Sequence, residues 1–416
     1  MDLKSGYPFW AVKNGLMRAF PPLEADLRCE VAVVGGGITG ALIANELAAQ
    51  GFDVAVFEQR DIAWGSTCAS TALIQYEIDT HLVDLAQQFG EPDAVLAYRS
   101  CEQAVHALQA LAREVGDVDF KMQGSLYSAS RKRDAKALRA EFEIRRRHGF
   151  DVDWLDPETL HADYAIEAPG AILSHVAARV DPYRLTYRLL ARLQRRGSAV
   201  FDRTAIASID AGPRQVTLQT AGGHTIRCRH VVMAAGYANQ NWLHKRVAQN
   251  RSSYAFITDP VNFSTLPYLA NTMVWETARP YLYLRSTGDG RLLVGGEDDS
   301  IDLPARRDAR VQKKAAKLSR KVSKLFPQLD FEPAYSWAGT FAETRDGLPY
   351  FGAHPQYGPR VHFAMAYGGN GITYSMIGAG LLHASITGRK HPLQALFGFE
   401  RKGGPLGRLS RFVTLP

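Results

Sequence analysis

The stretch Val31-Ala32-Val33-Val34-Gly35-Gly36-Gly37-Ile38-Thr39-Gly40 decides how this chain of 416 residues is read. Val31 to Val34 is a short, fully apolar, β-branched strand. Gly35, Gly37 and Gly40 follow it at the G-x-G-x-x-G spacing of a dinucleotide-binding turn. Gly35 permits the tight exit from the strand, Gly37 lets a pyrophosphate approach bare backbone, and Gly40 lets the next helix pack closely on the strand. That helix, predicted from Ile38 to Gln50 and stopped by Gly51, points its unpaired N–H groups and positive dipole end at the phosphates. Val54 to Phe57 then reads as a second strand. Glu58 ends it, 18 residues after Gly40, where a carboxylate accepts hydrogen bonds from an adenosine ribose. A lone glycine triplet also fits a turn with no ligand. Strand, turn, helix, strand and acid arriving in order favour the nucleotide site.

Further stretches carry a family resemblance. They are Glu58-Gln59-Arg60-Asp61-Ile62-Ala63-Trp64-Gly65-Ser66-Thr67, then Val231-Val232-Met233-Ala234-Ala235-Gly236-Tyr237. Trp337-Ala338-Gly339, Asp346-Gly347-Leu348-Pro349 and Gly368-Gly369-Asn370-Gly371-Ile372-Thr373 complete the set. Together they resemble the superfamily of D-amino-acid oxidase, glycine oxidase and sarcosine oxidase. The resemblance implies FAD rather than NAD. Its implied contacts are Gly35, Gly37, Ile38, Thr39, Gly40 and Glu58, the loop residues Gln59, Arg60, Gly65, Ser66 and Thr67, and, later in the chain, Ala235, Gly236, Gly339, Gly369, Asn370, Gly371, Ile372 and Thr373. It also implies that the flavin accepts a hydride from a carbon next to nitrogen or oxygen, while the protein aligns the C–H bond. The Gly368 to Gly371 loop before a helix would stabilise negative charge on the reduced ring through N–H groups and the helix dipole. A packing cluster of glycines is the alternative.

The implied fold is α/β (α+β overall), with a Rossmann-like FAD-binding domain and a discontinuous, mostly antiparallel β-sheet substrate domain. Residues 1–28 read as an extended lead-in, with Pro21-Pro22 before the first strand. Segments 29–116, 171–240 and 334–416 are assigned to the FAD-binding domain, and 117–170 and 241–333 to the substrate domain. Helices are predicted over Pro92 to Val115 and Arg131 to His148, after the N-caps Asp156 and Asp181, and from about Ala305 to Phe326. In the last, Val311, Ala315, Leu318, Val322 and Leu325 form an apolar seam. Nine Lys and Arg residues between Arg306 and Lys324 lie mostly off it. They suit a solvated face, or a docking surface for a partner.

The composition is 46% hydrophobic and 22% charged, ordinary for a globular chain. A net charge of +7 could suit nucleic acid, but the basic residues interleave with apolar ones at helical spacing, so no nucleic-acid partner is expected. Cys29, Cys68, Cys101 and Cys228 are scattered and form no C-x-x-C pair, which argues for a reducing, cytoplasmic setting and against a metal site. Residues 361–388 lack Lys, Arg, Asp and Glu. Six glycines interrupt them, so a buried helix is expected rather than a membrane span.

Substrate choice is read from departures. Glycine and D-amino-acid oxidases carry a carboxylate-binding arginine soon after the tryptophan-glycine segment, and Phe341 stands there. Sarcosine oxidases use an arginine and a lysine at the positions of Gln75 and Thr373. A buried carboxylate without a cation is costly, so simple α-amino acids are disfavoured unless Arg285 substitutes. It alternates with Tyr281 and Tyr283 on one strand face, and these three are the candidate substrate contacts. The plain alternative pairs Arg285 with Glu297. The pattern from Trp337 to Asp346 is more similar to the γ-glutamylputrescine-oxidase-like branch, which oxidises amines. The expected reaction is hydride transfer from the C–N bond of a primary or secondary amine, giving an imine, with molecular oxygen or another acceptor reoxidising the flavin. A dehydrogenase of a polyol phosphate or hydroxy acid, and a non-catalytic flavoprotein subunit, are the alternatives. The family's attachment cysteine aligns with Gly339, so FAD is expected to be non-covalent.

Overall fold

The computed structural model describes residues 2–300 and 302–401. Its organising strand, Leu27–Val34, lies inside a sheet of eight strands. The order is Tyr350–Ala353, Val361–Met365, Thr225–Met233, Leu27–Val34, Val54–Phe57 and Ala199–Phe201. Val216–Thr220 and Ile206–Ala211 fold off Thr225–Met233 as antiparallel neighbours. The four central pairings from Val361–Met365 to Ala199–Phe201 are parallel. A parallel strand is covered on both faces, which is why Val31 to Val34 can be wholly apolar. Val31 and Val33 pack with Leu42, Leu189 and Leu382 of the helices Ile38–Ala49, Pro182–Arg195 and Gly371–Ile386. Ala32 and Val34 face the opposite core with Phe57, Met233 and Phe363.

The second sheet has ten strands. Its path is Lys4–Gly6, Pro333–Glu343, Gln249–Pro260, Arg291–Asp299, Leu282–Ser286, Thr272–Glu276, Lys121–Ser128, Ala171–Arg179 and Leu73–Gln75, and Val152–Leu155 also pairs with Ala171–Arg179. Every pairing is antiparallel except that of Thr272–Glu276 with Lys121–Ser128. The helix Pro304–Leu325 covers this sheet with Val311, Ala315, Leu318 and Val322 against Phe256, Leu284 and Val294. Its seam continues one turn further back than the apolar residues, to the fully buried Arg307. That guanidinium donates to Ser5 Oγ at 2.8 Å and to Thr340 Oγ1 at 2.8 Å, and pairs with Asp302 at 2.7 Å.

Sheet membership corrects the sequence boundaries in four places. Ala171–Arg179, assigned with 171–240 to the FAD-binding domain, pairs with Lys121–Ser128 in the larger sheet. Pro333–Glu343 and Leu73–Gln75 also belong there. The lead-in is not merely extended, because Lys4–Gly6 forms an edge strand against Trp337 to Gly339 and Phe9–Asn14 forms a helix. Strand partners are set by pairing with distant segments, which local alternation does not encode. The uncharged run 361–388 forms a strand and the helix Gly371–Ile386, and among the described residues no helix is long and apolar enough to cross a membrane.

Candidate active site

The strand Leu27–Val34 delivers the glycine turn to one end of a cavity of about 620 Å³. Gly35 has φ +120°, and a Cβ there would lie 2.3 Å from the carbonyl oxygen of Ala234. Only glycine fits. At Gly40 a Cβ would lie 1.9 Å from the Gly35 oxygen, so this glycine serves helix packing and does not line the cavity. Gly37 ends the turn as the N-cap of Ile38–Ala49, and the Ile38 N–H donates to Thr67 Oγ1 at 3.0 Å. The loop after the second strand is thereby fastened to the helix start. Glu58 accepts hydrogen bonds from the N–H groups of Gly36 (2.8 Å) and Arg60 (3.0 Å). Burial pushes its carboxyl upward from the ordinary range, and the Gly36 N–H opposes that shift. Thr39 shares a 2.8 Å hydroxyl contact with Ser375 of the last long helix.

Gln59, Arg60, Gly65, Ser66 and Thr67 continue the lining, followed by Ala235, Gly236 and Gly339. Gly339 is backed by Ala69, whose Cβ would be 3.1 Å from a Cβ added to the glycine. Gly369, Asn370, Gly371 and Ile372 also line it. Asn370 Nδ2 donates to the carbonyl oxygens of Gln75 (3.0 Å) and Glu77 (2.9 Å), while Gly369 N–H donates to Asp79 Oδ2 at 2.8 Å. That N–H is therefore committed to a carboxylate. Thr373 is displaced from the lining, its hydroxyl donating to the Gln75 oxygen at 3.0 Å.

Tyr281 and Tyr283 line the cavity, their rings 5.5 Å apart, together with Trp275, Tyr237 and Phe341. Arg285 does not. Its Nε donates to the Thr71 oxygen (2.8 Å), Nη1 to the Ser286 oxygen (3.0 Å) and Nη2 to the Val180 oxygen (3.1 Å), with the guanidinium 5.4 Å from the Trp10 ring centre. The side chain is fully buried, and burial lowers its pKa to about 10. The alternative pairing with Glu297 is not formed either. Glu297 is met by Lys317 and Lys321, both at 2.8 Å.

A family model for FAD dependent oxidoreductases, designated DAO, matches residues 30–384. The chain belongs to that family. It is 24% identical over 414 residues to γ-glutamylputrescine oxidoreductase of Escherichia coli, covering 97% of this chain and 94% of that one. It is 28% identical over 393 residues to glycine oxidase of Geobacillus kaustophilus, covering 91% and 99%. The crystal structure of glycine oxidase from Geobacillus kaustophilus superimposes with a TM-score of 0.74 at 23% identity, over 90% of this chain and 99% of that one. The protein is thus an FAD-dependent oxidoreductase with the fold of glycine oxidase.

The residues present fit FAD. Ser66 Oγ and Arg60 Nε, both of cavity-lining residues, are buried with no hydrogen-bond partner among the described residues. Buried polar atoms are ordinarily satisfied, so these two are suited to a polar ligand. Cys68 lies outside the lining, its thiol donating to the Gly65 oxygen at 3.1 Å while burial pushes its pKa up to about 12. Sequence reasoning passed over Asp79. Alternation from Gln75 through Glu77 to Asp79 was the available signal, and all three line the cavity.

Proposed function

We propose that this enzyme oxidises the C–N bond of a primary or secondary amine, or of an amino-acid derivative, to an imine that hydrolyses to a carbonyl. FAD, held without a covalent link, would be bound by the glycine turn, Glu58, the Gln59 to Thr67 loop, Ala235-Gly236, Gly339 and the Gly369 to Ile372 segment. When bound, FAD supplies the two-electron acceptor for the hydride leaving the carbon next to nitrogen.

The carrying observation is the character of the wall near the Gly369 end. Gln75 and Phe341, which occupy positions where relatives place carboxylate-binding arginines, line it as neutral side chains. Thr373, at the lysine position, is tied behind Gln75. Tyr237, Trp275, Tyr281 and Tyr283 and the Glu77 and Asp79 carboxylates line the same cavity. Such a wall suits an ammonium group, attracted by the carboxylates and by ring faces, better than an isolated α-carboxylate. The name of the Escherichia coli relative, γ-glutamylputrescine oxidoreductase, is that of an amine-converting enzyme and supports this reading. A polyol phosphate would need a free cation at this end, and the Arg285 guanidinium is engaged with three backbone carbonyls.

The test is anaerobic bleaching of the flavin in the purified holoenzyme by panels of amines, hydroxy acids and sugar phosphates. Amines should bleach it. Bleaching by hydroxy compounds alone refutes the proposal.

A further inference from the structure

Gln75 lines the cavity, and its carbonyl oxygen is tied to the last glycine loop by Asn370 Nδ2 and the Thr373 hydroxyl, each at 3.0 Å. Its side chain is held as firmly. Nε2 donates to Ser125 Oγ at 3.0 Å, and the indole Nε1 of Trp275, a second lining residue, donates to the same oxygen at 3.0 Å. Ser125 is fully buried and lies outside the lining. A hydroxyl has two acceptor lone pairs and one proton, and an indole N–H can only donate. With both lone pairs occupied, the Ser125 proton needs an acceptor. Glu77 supplies it, since both its carboxyl oxygens are buried without a hydrogen-bond partner among the described residues. Burial pushes the Glu77 carboxyl upward from its ordinary range, and Arg145, 3.8 Å away, and the Ser174 and Ser125 hydroxyls oppose that shift. The Gln75 amide is thereby fixed with its nitrogen toward Ser125. Its Oε1, which accepts no hydrogen bond among the described residues, is left for the cavity.

Resting on the amine reading, we propose that Gln75 Oε1 accepts the N–H of the reacting amine and so restricts the enzyme to primary and secondary amines, with Ser125 as the positioning residue behind it. The nitrogen lone pair closes the C=N bond as the hydrogen leaves carbon with both electrons for the flavin, so the reacting nitrogen is unprotonated. Its lone pair is then unavailable to any donor on the protein, and what remains to hold it is an N–H. A primary or secondary amine has one. An unprotonated tertiary amine has none. As positive charge builds on nitrogen its N–H becomes a stronger donor, so the bond to a fixed carbonyl dipole strengthens toward the transition state. An arginine at this position would offer donors alone, which an amine N–H cannot use. The neighbouring Trp275 is fixed from two sides, by Ser125 and by its ring stacked on Tyr127 with centres 3.6 Å apart, so the wall that carries the acceptor is rigid.

The test mixes the FAD-loaded enzyme anaerobically with benzylamine, N-methylbenzylamine and N,N-dimethylbenzylamine, which differ only in their N–H groups and N-methyls. Stopped flow reads flavin bleaching, and the perturbation of flavin absorbance before bleaching reads binding. Wild type should be bleached by the first two at least about tenfold faster than by the third, as expected for one hydrogen bond to a group that becomes charged. Gln75→Met, similar in length but with no acceptor, should bring the three rates together. Ser125→Ala frees the amide to rotate and should lower the preference part-way while FAD is retained. The proposal is overturned if wild type shows no preference, or if Gln75→Met keeps it, since the preference is then steric. It is also overturned if Gln75→Met slows all three amines in equal proportion and loses FAD, the signature of a structural role. Binding reports separately from chemistry. If no amine bleaches wild type yet benzylamine perturbs its flavin spectrum and Gln75→Met abolishes that signal, amine oxidation fails and the acceptor stands. If the amines bleach and the preference survives in Gln75→Met, the acceptor fails and amine oxidation stands. Neither bleaching nor binding overturns both.

Discussion

Replacing Arg285 by methionine separates a structural arginine from a substrate-binding one. The variant leaves the carbonyls of Thr71, Ser286 and Val180 without their donors, at a site with no exposure to solvent. Hydrogen bonds from a charged donor contribute about 1.5 to 3 kcal/mol each. Against them stands the cost of burying the cation. A pKa lowered from 12.5 to about 10 by burial corresponds to about 3 kcal/mol. The net destabilisation expected for Arg285→Met is therefore about 2 to 5 kcal/mol, in the range for breaking a buried charged network. Urea unfolding of the holoenzyme, followed by flavin and tryptophan fluorescence, measures it. Turnover per bound flavin should stay close to wild type, because the side chain does not line the cavity. A variant of full stability whose kcat/KM collapses would refute this reasoning and restore Arg285 as a substrate contact.

Other outcomes follow from the same geometry. Gly40→Ala should prevent FAD loading or folding, since its Cβ would lie 1.9 Å from the Gly35 oxygen, whereas Gly37→Ala, 3.0 Å from Thr67 Oγ1, should fold and bind FAD less tightly; flavin content of the purified variants decides between them. Acid precipitation should leave all the FAD in the supernatant, and flavin mapped by mass spectrometry to Cys68 would overturn the non-covalent assignment. Burial holds His362 at about 3 and His230 at about 4, both below their usual 6.5. Both are neutral in the folded protein at higher pH, and below pH 6.5 the unfolded chain binds the extra protons. Stability should therefore be complete above pH 6.5 and fall progressively toward pH 4, by at most about 1.4 kcal/mol per pH unit for His362. His362→Gln should flatten that slope in urea midpoints measured across the range, and an unchanged slope would exclude the residue as its source.

The nucleotide end of the site was legible because its constraints are local. Gly40 is fixed by contact with the Gly35 oxygen of the same turn, and Glu58 reaches back to Gly36 across one strand and one helix. Each such constraint leaves a residue type at a fixed spacing. Sheet membership is different. Ala171–Arg179 carries the same alternation whether it joins one sheet or the other, and its register against Lys121–Ser128 depends on segments about fifty residues apart. The lead-in was missed for a related reason. Three residues, Lys4–Gly6, are strand only because Pro333–Glu343 offers them an edge.

The substrate end shows what alternation can and cannot place. It assigns a side chain to a face, and Tyr281 and Tyr283 do share the cavity. It does not say where along the strand that face stops being cavity wall. At about 3.3 Å per residue, Arg285 is displaced by about 13 Å from Tyr281, far enough for Trp10 and the Thr71 carbonyl to enclose it. Enclosure therefore decides where alternation does not: the Arg285 guanidinium, on the same strand face as two cavity-lining rings, is consumed by backbone carbonyls.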